Sequence, residues 1–531
     1  MCGIVGIIGV EPVSTRLVDA LRRLEYRGYD SAGIATLTDA GLDRRRAEGK
    51  LGNLAAKLDD RPLAGTIGIG HTRWATHGGA TEGNAHPHFT KRVAVVHNGI
   101  IENFRELLED LARDGYTPAS ETDTESVALW VTRELDRGAT PQDAVANTLP
   151  RLRGTFGLVF LFADEDKLLI AARQGSPLAI GHGQQEMYLG SDAYALAPFT
   201  NQITYLEEGD WAVLTPGSVI IRDFDGNTVE RVRQISSASA ALADKGNHKH
   251  FMAKEIYEQP ETISHTLAHY VDLTREKVAL REDLPFDFAK LSRLTITACG
   301  TAFYAGLVAK YWFEQLAGLP CETDIASEFR YRQPVLSERG IGIFISQSGE
   351  TADTLAALRH VQGQLARTIG VINVPTSSIA RECDLALPIL AGVEVSVAST
   401  KGFTCQLLVL ALLALKAAQD RGRLDAAGLQ AHLESLVNLP GLMNHALGAG
   451  ETLAAVAAEL AAARDVLFLG RGAMFPLALE AALKLKEISY IHAEGYASGE
   501  LKHGPIALID KDVPVVVLAP RDGLFDKTVS N

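Results

Sequence analysis

The second residue of the chain is a cysteine, in an opening sequence that runs Met1-Cys-Gly-Ile-Val-Gly6. Removal of Met1 would give Cys2 both a thiol and a free α-amine. A thiolate is a nucleophile, and its reactivity depends on a nearby proton acceptor. An α-amine titrates near pH ~8, so it can accept the thiol proton and later return one to a leaving amine. The alternative is that Cys2 is an ordinary small residue at the start of a strand.

A second group of residues has the types needed to complete this chemistry. Asn98 and Gly99 follow the apolar run Val93–Val96. An Asn side chain and a Gly backbone N–H would supply two donors to a tetrahedral oxyanion. Arg73 offers a bidentate fork for the carboxylate of a free amino acid, and Asp123 offers an acceptor for its ammonium group. Asn98-Gly99 also fits a simple tight turn after a strand, and this alternative stays open.

Three histidines lie close to these residues in the sequence, namely His71, His77 and His86. Each could equally be a loop or core histidine. No two cysteines have a C-x-x-C spacing, and these three histidines include no pair with the spacing of a metal site on a helix. We therefore expect no metal site and no cofactor.

Composition and charge limit the class of protein. The 531 residues are enough for about two to four domains with sizeable cores. The net charge of −14, without a basic tract, argues against a nucleic-acid or anionic-membrane surface. There is no signal-peptide pattern, and the longest apolar run, Leu407–Leu415, is too short to cross a bilayer. Because the five cysteines are also sparse, we expect a cytoplasmic protein that binds neither nucleic acid nor membranes.

The pattern of strands and helices changes along the chain. Residues 2–219 have many short strands with Gly-rich turns and a helix predicted over 125–135, which is typical of an α+β domain of stacked sheets. Residues 220–284 include a polar Ser/Ala-rich stretch, and we interpret them as a linker and connecting helix. Strands and helices then alternate as in doubly wound parallel α/β domains, which we place at 285–425 and 456–531.

The second part contains an internal repeat with an offset of 171 residues, so that Cys299 corresponds to Gly470 and Ser327 to Ser498. Each copy has the pattern strand, glycine turn, helix, second strand. In this register Asn531 corresponds to position 360, whereas the first copy continues to about residue 425. We therefore expect an incomplete second domain, in either a truncated sequence or a genuine shortened variant.

A hydroxyl-rich turn in the first copy follows a strand predicted over 341–345 and opens a helix. Such a turn presents backbone N–H groups and the positive end of the helix dipole to an anion, which predicts a phosphate site. Its side-chain donors are Ser346, Gln347, Ser348 and Thr351. The alternative is an ordinary N-cap. Two further turns, at 299–302 and 397–399, could line the same pocket.

Lys484 and Glu487 stand three residues apart on a predicted helix, so they share one face. Most such pairs are solvated surface pairs. The alternative is general acid–base chemistry on a sugar, in which a carboxylate moves a proton between adjacent carbons. His503 is either part of a turn or a helper in that chemistry.

Motifs of the first part resemble those of class II, N-terminal nucleophile (Ntn) glutamine amidotransferases. They are Cys2-Gly-Ile-Val-Gly6, Glu25-Tyr-Arg-Gly-Tyr-Asp-Ser-Ala-Gly33, His71-Thr-Arg-Trp-Ala-Thr-His77, Asn84-Ala-His-Pro-His88 and His97-Asn-Gly-Ile-Ile-Glu-Asn103. The resemblance implies an Ntn-hydrolase fold and hydrolysis of glutamine to glutamate and ammonia, with Cys2 as nucleophile, its amine as base, and Asn98 and Gly99 as oxyanion hole. It implies that glutamine is held by Arg73, Thr76, His77, His86 and Asp123, with Trp74 on a mobile loop and Arg27 as a supporting contact.

The repeated units resemble sugar isomerase (SIS) domains, and the order and spacing of both parts resemble the family of isomerizing glutamine–fructose-6-phosphate aminotransferases. The resemblance implies that ammonia from glutamine aminates fructose 6-phosphate and that isomerisation gives glucosamine 6-phosphate, an amino-sugar precursor. It implies a sugar-phosphate site made of Cys299, Gly300, Thr301, Ser346, Gln347, Ser348, Thr351, Val397 and Ser399. Glu487 would move the isomerisation proton and Lys484 would assist it. His503 would reach a neighbouring subunit's site and aid ring opening, which implies a homodimer through the SIS domains.

Three other interpretations stay open. The family ends in a tail whose lysine forms a Schiff base with the open-chain sugar, and that tail lies beyond Asn531, so the chain as given would be a glutaminase without productive sugar amination. A different class II amidotransferase is disfavoured by the 346–351 turn and the duplicated unit. A non-catalytic sugar-phosphate sensor is disfavoured by Glu487 and His503.

Overall fold

The fold was analysed in a computed structural model, which describes residues 2–25, 30–74, 78–236, 247–272, 277–280 and 284–531. The chain forms two compact units, residues 1–244 and 245–531. The helices of the first unit are α1 (Ser14–Arg22), α2 (Leu51–Asp60), α3 (Phe104–Arg113), α4 (Thr124–Asp136), α5 (Pro141–Thr148) and α6 (Ala193–Leu196). Its strands are β1 (Gly3–Ile8), β2 (Ser31–Thr38), β3 (Gly41–Glu48), β4 (Ile67–Arg73), β5 (His88–Phe89), β6 (Val93–Ile101), β7 (Gly154–Phe162), β8 (Leu169–Gln174), β9 (Ala179–His182), β10 (Met187–Gly190), β11 (Gln202–Tyr205), β12 (Trp211–Thr215), β13 (Ser218–Arg222), β14 (Thr228–Val229) and β15 (Arg233–Ile235).

The strands of the first unit form two stacked antiparallel sheets, in the orders β15-β11-β9-β10-β1-β4-β2-β3 and β14-β13-β12-β8-β7-β6-β5. Alternate side chains point into the space between the sheets, as Ile4 and Ile69 do from one sheet and Val96 and Val159 from the other. A second core packs α1 and α2 on the outer face of the first sheet, and a third packs α3, α4 and α5 on the outer face of the second. The four layers confirm the predicted Ntn-hydrolase architecture, with stacked antiparallel sheets between helices.

The second unit is built mainly from parallel strands and helices. Its helices are α7 (Phe251–Tyr270), α8 (Gly300–Ala317), α9 (Ala326–Phe329), α10 (Ala352–His360), α11 (Ser378–Glu382), α12 (Lys401–Asp420), α13 (Ala426–Leu447), α14 (Gly450–Leu460), α15 (Met474–Ser489) and α16 (Phe525–Val529). Its strands are β16 (Val271–Asp272), β17 (Lys277–Val278), β18 (Arg293–Ala298), β19 (Cys321–Ile325), β20 (Gly340–Ser346), β21 (Arg367–Ile372), β22 (Leu385–Pro388), β23 (Asp465–Gly470), β24 (His492–Ala497) and β25 (Val515–Val517).

The larger sheet of this unit is parallel, in the order β19-β18-β20-β21-β22. Helices α7, α8, α12 and α13 share one core with it, and α9, α10 and α11 share another core that includes Phe344 and Ile372 of its strands. Because the helices cover both faces, the sheet is doubly wound, as the alternating pattern predicted. The smaller sheet has the order β24-β23-β25 and is also parallel.

The internal repeat is visible in the structure. The series β18, α8, β19 and β20 recurs as β23, α15, β24 and β25, and in each copy the first strand lies between the other two. The glycine turn after the first strand recurs too, since Gly300 has φ +54° and Gly472 has φ +57°. These positive φ angles explain why each turn contains glycine.

The predicted linker over 220–284 differs from the structure at both ends. Strands β13, β14 and β15 pair within the sheets of the first unit, so the predicted boundary at residue 219 falls inside a strand. Helix α7 packs on α12 and α13 and therefore belongs to the second unit. The Ser/Ala-rich stretch at 237–246 lies outside the described residues. Polarity alone could not reveal that the residues before this stretch pair with distant strands or that those after it pack on distant helices.

Helix α12 is long and apolar enough to cross a membrane by length and composition, and it is the one such helix among the described residues. Most of it is buried inside the second unit, against α7 and α8. A helix that is apolar on all sides fits a core position of this kind.

Candidate active sites

The first candidate site is centred on Cys2, at the start of β1. Strand β1 lies between β4 and β10, and Gly3 pairs with Thr72 of β4. A Cβ atom on Gly3 would lie 2.6 Å from Cβ of Leu24, so only glycine allows this close packing beside the cysteine. The backbone N–H of Trp74 donates to Sγ of Cys2 at 3.2 Å. The end of β4 therefore fixes the position of the sulfur.

Burial raises the pKa of the Cys2 thiol, and the hydrogen bond from Trp74 and the charge of Arg73 only partly oppose this effect. The thiol is consequently protonated near neutral pH. A nucleophilic reaction at this sulfur needs a base close to it, and the α-amine of Cys2 itself meets that requirement once Met1 is removed.

Asn98 lies beside Cys2. Its Nδ2 atom donates to the backbone carbonyl of Cys2 at 2.9 Å, and its Oδ1 atom accepts from Nε2 of His71 at 3.1 Å. Asn98 and Gly99 pair with Gly157 and Phe156 inside the β6–β7 ladder, so they do not form the tight turn considered above. Gly99 has φ +129°, and a Cβ atom there would lie 2.0 Å from the carbonyl oxygen of Thr155. The backbone at this position therefore requires glycine.

A cluster of buried histidines supports this strand. Nε2 of His71 also donates to the carbonyl of His97 at 2.9 Å, and the ring centroids of His71 and His86 are 4.2 Å apart. The hydroxyl of Thr124 bonds to Nε2 of His86 at 2.8 Å and to Nδ1 of His97 at 2.9 Å. His86 is thus buried against His71 and Thr124, and its contact with glutamine remains a prediction.

Burial also sets the charge of this cluster. It lowers the pKa of His71 to about 3 and that of His88 to about 3, and it lowers the pKa of His86 well below its usual value. The rings are therefore neutral at physiological pH. No group of three or more His, Cys, Asp or Glu residues suited to a metal ion occurs in the described part of the chain.

Arg73, the last residue of β4, and Asp123, the residue before α4, are both buried. The guanidinium of Arg73 donates to the carbonyls of Gly78 and Gly79, at 3.1 and 3.0 Å. One oxygen of Asp123 accepts from the backbone N–H of Ile101 at 2.8 Å. Trp74, which follows Arg73, is 40% exposed. Three further predicted glutamine contacts, Arg27, Thr76 and His77, lie outside the described residues.

The segment after the undescribed residues 75–77 is tied to the start of α4. Nδ2 of Asn84 donates to the carbonyl of Gly79 at 3.1 Å and to the carboxylate of Glu121 at 3.0 Å. Sequence reasoning did not assign roles to Asn84, Glu121 or Thr124. The motifs around 84–88 and 121–124 were visible, but their mutual contacts come from tertiary structure.

The second candidate site lies where β20 ends and α10 begins. The hydroxyl of Ser346 bonds to that of Thr351 at 2.8 Å and accepts from the backbone N–H of Gly349 at 3.0 Å. Gly349 has φ +66°, and a Cβ atom on it would lie 1.9 Å from Oγ of Ser377. Ser348 accepts from the N–H of Glu350 at 3.1 Å. The result is a tight turn that places hydroxyl and backbone N–H groups at the N-terminal, positive end of the α10 dipole.

The segment that contains Val397 and Ser399 lies next to this turn. A Cβ atom on Gly402 would be 2.9 Å from Oγ of Ser399 and 3.3 Å from Cγ of Gln347, so these two side chains flank the same glycine. Val397 is exposed. The structure therefore brings the 397–399 turn beside the predicted phosphate turn.

The third set of predicted residues meets at the start of α8. Nζ of Lys484 lies 2.6 Å from the carboxylate of Glu487 and 2.9 Å from Oγ1 of Thr301. Thr301 donates to Glu480 at 3.0 Å, and Glu480 lies 3.4 Å from Nζ of Lys484. The Lys484–Glu487 pair is thus not a solvated surface pair, because it is joined to a threonine from the other repeat.

Glu480 is a site residue that sequence reasoning missed. It is 6% exposed, and burial raises its pKa to about 7. Its spacing of four residues from Lys484 on α15 was the signal that could have identified it.

The remaining predicted site residues are Cys299, Gly300 and His503. Cys299 is the residue just before α8, and Gly300 begins the helix. His503 is exposed at the end of a 3-10 helix over Glu500–His503, and no ion pair with Glu487 is found among the described residues. Its predicted role in a neighbouring subunit's site remains a prediction.

A cysteine at the second residue of a four-layer αββα unit, together with a doubly wound parallel sheet that carries a phosphate-type turn, is typical of a glutamine amidotransferase joined to sugar isomerase domains. Models of known families agree. The glutamine amidotransferase domain matches residues 71–198, and the SIS domain matches residues 287–416 and 459–531.

Comparison with individual proteins identifies the family. The chain is 62% identical over 531 residues to the isomerizing glutamine–fructose-6-phosphate aminotransferase of Bradyrhizobium diazoefficiens, and 60% identical to that of Brucella abortus. In each case the match covers all of this chain and 87% of the relative. The C-terminal domain of glucosamine-fructose-6-phosphate aminotransferase from Francisella tularensis is 45% identical, with a TM-score of 0.53 over 54% of this chain and 81% of that chain. The chain belongs to the family of isomerizing glutamine–fructose-6-phosphate aminotransferases.

Proposed function

We propose that this protein converts glutamine and fructose 6-phosphate to glutamate and glucosamine 6-phosphate. The observation that carries the proposal is the contact between Asn98 and Cys2, because it sets an amide donor beside a buried thiol at the chain's second residue. Family membership over the whole chain supports the same reaction.

In the glutaminase half, the α-amine of Cys2 accepts the thiol proton, and the thiolate attacks the side-chain amide carbon of glutamine. The side chain of Asn98 and the backbone N–H of Gly99 stabilise the negative oxygen of the tetrahedral intermediate. Collapse of the intermediate, with the proton returned by the amine, releases ammonia and leaves a thioester on Cys2. Water then hydrolyses the thioester and gives glutamate.

Glutamine is held by its charged α-groups. Arg73 binds the carboxylate and Asp123 the ammonium group, and both side chains are buried near β4 and β6, where these charges would attract strongly. Arg27, Trp74, Thr76, His77 and His86 complete the predicted glutamine contacts. Arg73 is already held by the carbonyls of Gly78 and Gly79, and Asn98 by the carbonyl of Cys2 and by Nε2 of His71.

In the isomerase half, the phosphate of the sugar binds at Ser346, Gln347, Ser348 and Thr351, and the sugar contacts Cys299, Gly300, Thr301, Val397 and Ser399. Ammonia adds to C2 of the open-chain ketose, and loss of water gives an imine. Glu487 then removes a proton from C1 and returns one to C2, while Lys484 balances its charge. His503 aids ring opening.

Chemistry of this kind fits a cytoplasmic homodimer that associates through its SIS domains. The exposed position of His503, which the family resemblance assigns to a neighbouring subunit's site, supports this association.

The test is to incubate the protein with both substrates and to measure glutamate and glucosamine 6-phosphate in parallel. Equal amounts of the two products are expected. Glutamate without the amino sugar would contradict the isomerase half and favour a glutaminase. Absence of both products would contradict the proposal as a whole.

A further inference from the structure

The segment 394–402 carries two of the predicted sugar contacts, Val397 and Ser399, and leads into α12. It contains no regular element before Lys401, so its own backbone hydrogen bonds cannot fix its shape. Two carboxylates that the proposed mechanism does not use lie against it. They belong to Glu394, at its start, and to Glu255, on α7.

Glu394 holds the second half of the segment. One oxygen accepts from the backbone N–H groups of Thr400 and Gly402, at 2.8 and 3.0 Å, and the other accepts from the hydroxyl of Ser399 at 2.8 Å. The side chain of Ser399 is thereby held in one direction. Glu394 is 8% exposed, so water does not replace these bonds easily.

Glu255 holds the first half. One oxygen accepts from the backbone N–H groups of Val395, at 2.5 Å, and Ser396, at 3.1 Å. The other oxygen accepts from the hydroxyl of Ser396, which also lies 2.9 Å from the carbonyl of Ala398. Glu255 is 2% exposed. Val397, between the two groups of bonds, remains exposed.

An ion pair with Glu258 ties the end of the segment to α7. Nζ of Lys401 is buried and pairs with Glu258 of α7 at 2.7 Å, and Glu258 also pairs with Lys254 at 3.4 Å. Since Lys401 begins α12, this pair joins α7 to the end of the segment. Both ends of the segment are therefore bound to α7.

We propose that Glu255 and Glu394 are positioning residues that hold segment 394–402 in the shape that binds the sugar phosphate. The inference deepens the proposed function and rests on it. It assigns to α7, which the sequence pattern marked as a connecting helix, a direct part in building the sugar site.

The physical argument is one of preorganisation. A segment without these bonds samples several conformations, and the apparent dissociation constant rises in proportion to the loss of the binding-competent one. Removal of the Glu255 carboxylate leaves two buried N–H groups without acceptors. A buried N–H group that loses its acceptor shifts a conformational equilibrium by about tenfold or more. We therefore expect Glu255→Ala to weaken fructose 6-phosphate binding by about tenfold or more.

The conservative variant Glu255→Gln distinguishes a positioning role of Glu255 from a requirement for its negative charge. In Glu255→Gln, the amide oxygen can accept from both N–H groups, and the amide nitrogen can donate to Ser396, whose hydroxyl keeps the carbonyl of Ala398 as acceptor. We expect this variant to bind fructose 6-phosphate within about threefold of the unsubstituted protein. Glu261→Ala, on the same helix with an exposed side chain, is the matched control and should leave binding unchanged.

The experiment is calorimetric titration of the full chain and the three variants with fructose 6-phosphate, together with their glutaminase rates and melting temperatures. Weak binding by Glu255→Ala alone, with the glutaminase rate retained, supports the inference. Equal binding by all four proteins overturns it and leaves the proposed function intact. If Glu255→Ala melts before it can be titrated, Ser396→Ala serves instead, because it removes the hydroxyl bonds to Glu255 and Ala398 and keeps the backbone N–H bonds to Glu255. It should still weaken binding several-fold, and unchanged binding would overturn the inference. No binding by the unsubstituted protein contradicts the proposed function and the inference together.

Discussion

Nε2 of His71 lies 3.1 Å from Oδ1 of Asn98, and this bond determines which way the Asn98 amide faces. A neutral imidazole has one N–H, and the two acceptors at Nε2 place it there. The oxygen of the amide is therefore occupied, and its Nδ2 atom is directed to Cys2. The buried His71 thus orients the amide that the proposed mechanism uses as an oxyanion donor.

The first prediction concerns this donor. Asn98→Ala should lower the glutaminase kcat by about 10²–10³-fold with a much smaller change in KM, because the bond strengthens only when the oxyanion forms. Steady-state release of glutamate measures both constants.

Asn103→Ala is its matched control. Asn103 is also buried in this unit and bonds to the backbone of Arg151 and Arg153, away from Cys2. We expect this variant to lose stability but to keep kcat within a few-fold. Equal losses of kcat in the two variants would contradict a specific role for Asn98.

The second prediction concerns the phosphate turn. Gly349→Ala should abolish most fructose 6-phosphate binding, because the new methyl group would overlap Ser377 and distort the turn. Gly363→Ala is the control, since Gly363 also has a positive φ, +77°, but has open space around it. Both variants carry a similar backbone strain, so equal affinities for fructose 6-phosphate in calorimetry would exclude a role for the turn.

The third prediction follows from the buried histidines. The pKa of His71 and that of His88 are lowered to about 3, so below pH ~6.5 the unfolded chain binds more protons than the folded one. The free energy of unfolding of the first unit should therefore fall as pH decreases from 7 to 5. The slope should reach about 1.4 kcal/mol per pH unit for each neutral histidine.

Urea unfolding followed by the fluorescence of Trp130 and Trp211, both buried in the first unit, measures this slope. His88→Gln should reduce the slope by the share of one histidine. An unfolding free energy that is constant between pH 7 and 5 would contradict the lowered pKa values, because it would show that these histidines bind protons equally in the folded and unfolded chain.

The fourth prediction concerns the isomerase carboxylate. Glu487→Gln should lower amino-sugar formation by about 10²–10⁴-fold, the usual contribution of a general acid–base group, and leave glutaminase activity unchanged. Parallel measurement of both products checks this. Glu459→Gln, on the exposed face of α14, is the control. Amino-sugar formation that survives in Glu487→Gln would assign the proton transfer to another residue, and buried Glu480 would be the next candidate.

Many strands and motif residues of the two halves could be predicted from the sequence, because the signals that indicate them are local. Short apolar runs indicated β1 and β6, and the spacing of the repeat indicated that β18 and β23 are equivalent strands. Motif residues such as Cys2 and Ser346 stand at strand ends, where chemistry is expected.

The supporting contacts of the sites could not be predicted, because they join residues that are distant in the sequence. Nothing near Glu255 in the sequence indicates that it bonds to Val395, 140 residues away. The Thr124 hydroxyl likewise joins His86 and His97 only because α4 packs on β6. The same holds for Thr301 and Glu480, which come from different repeats.

The most direct test of the account follows the nitrogen atom. The protein and its Cys2→Ala variant are incubated with fructose 6-phosphate and glutamine labelled with ¹⁵N in the side-chain amide, and the glucosamine 6-phosphate is analysed by mass spectrometry. The account predicts labelled amino sugar with the unsubstituted protein and none with Cys2→Ala. Undiminished label in the Cys2→Ala product, or amino sugar without label from the unsubstituted protein, would contradict it.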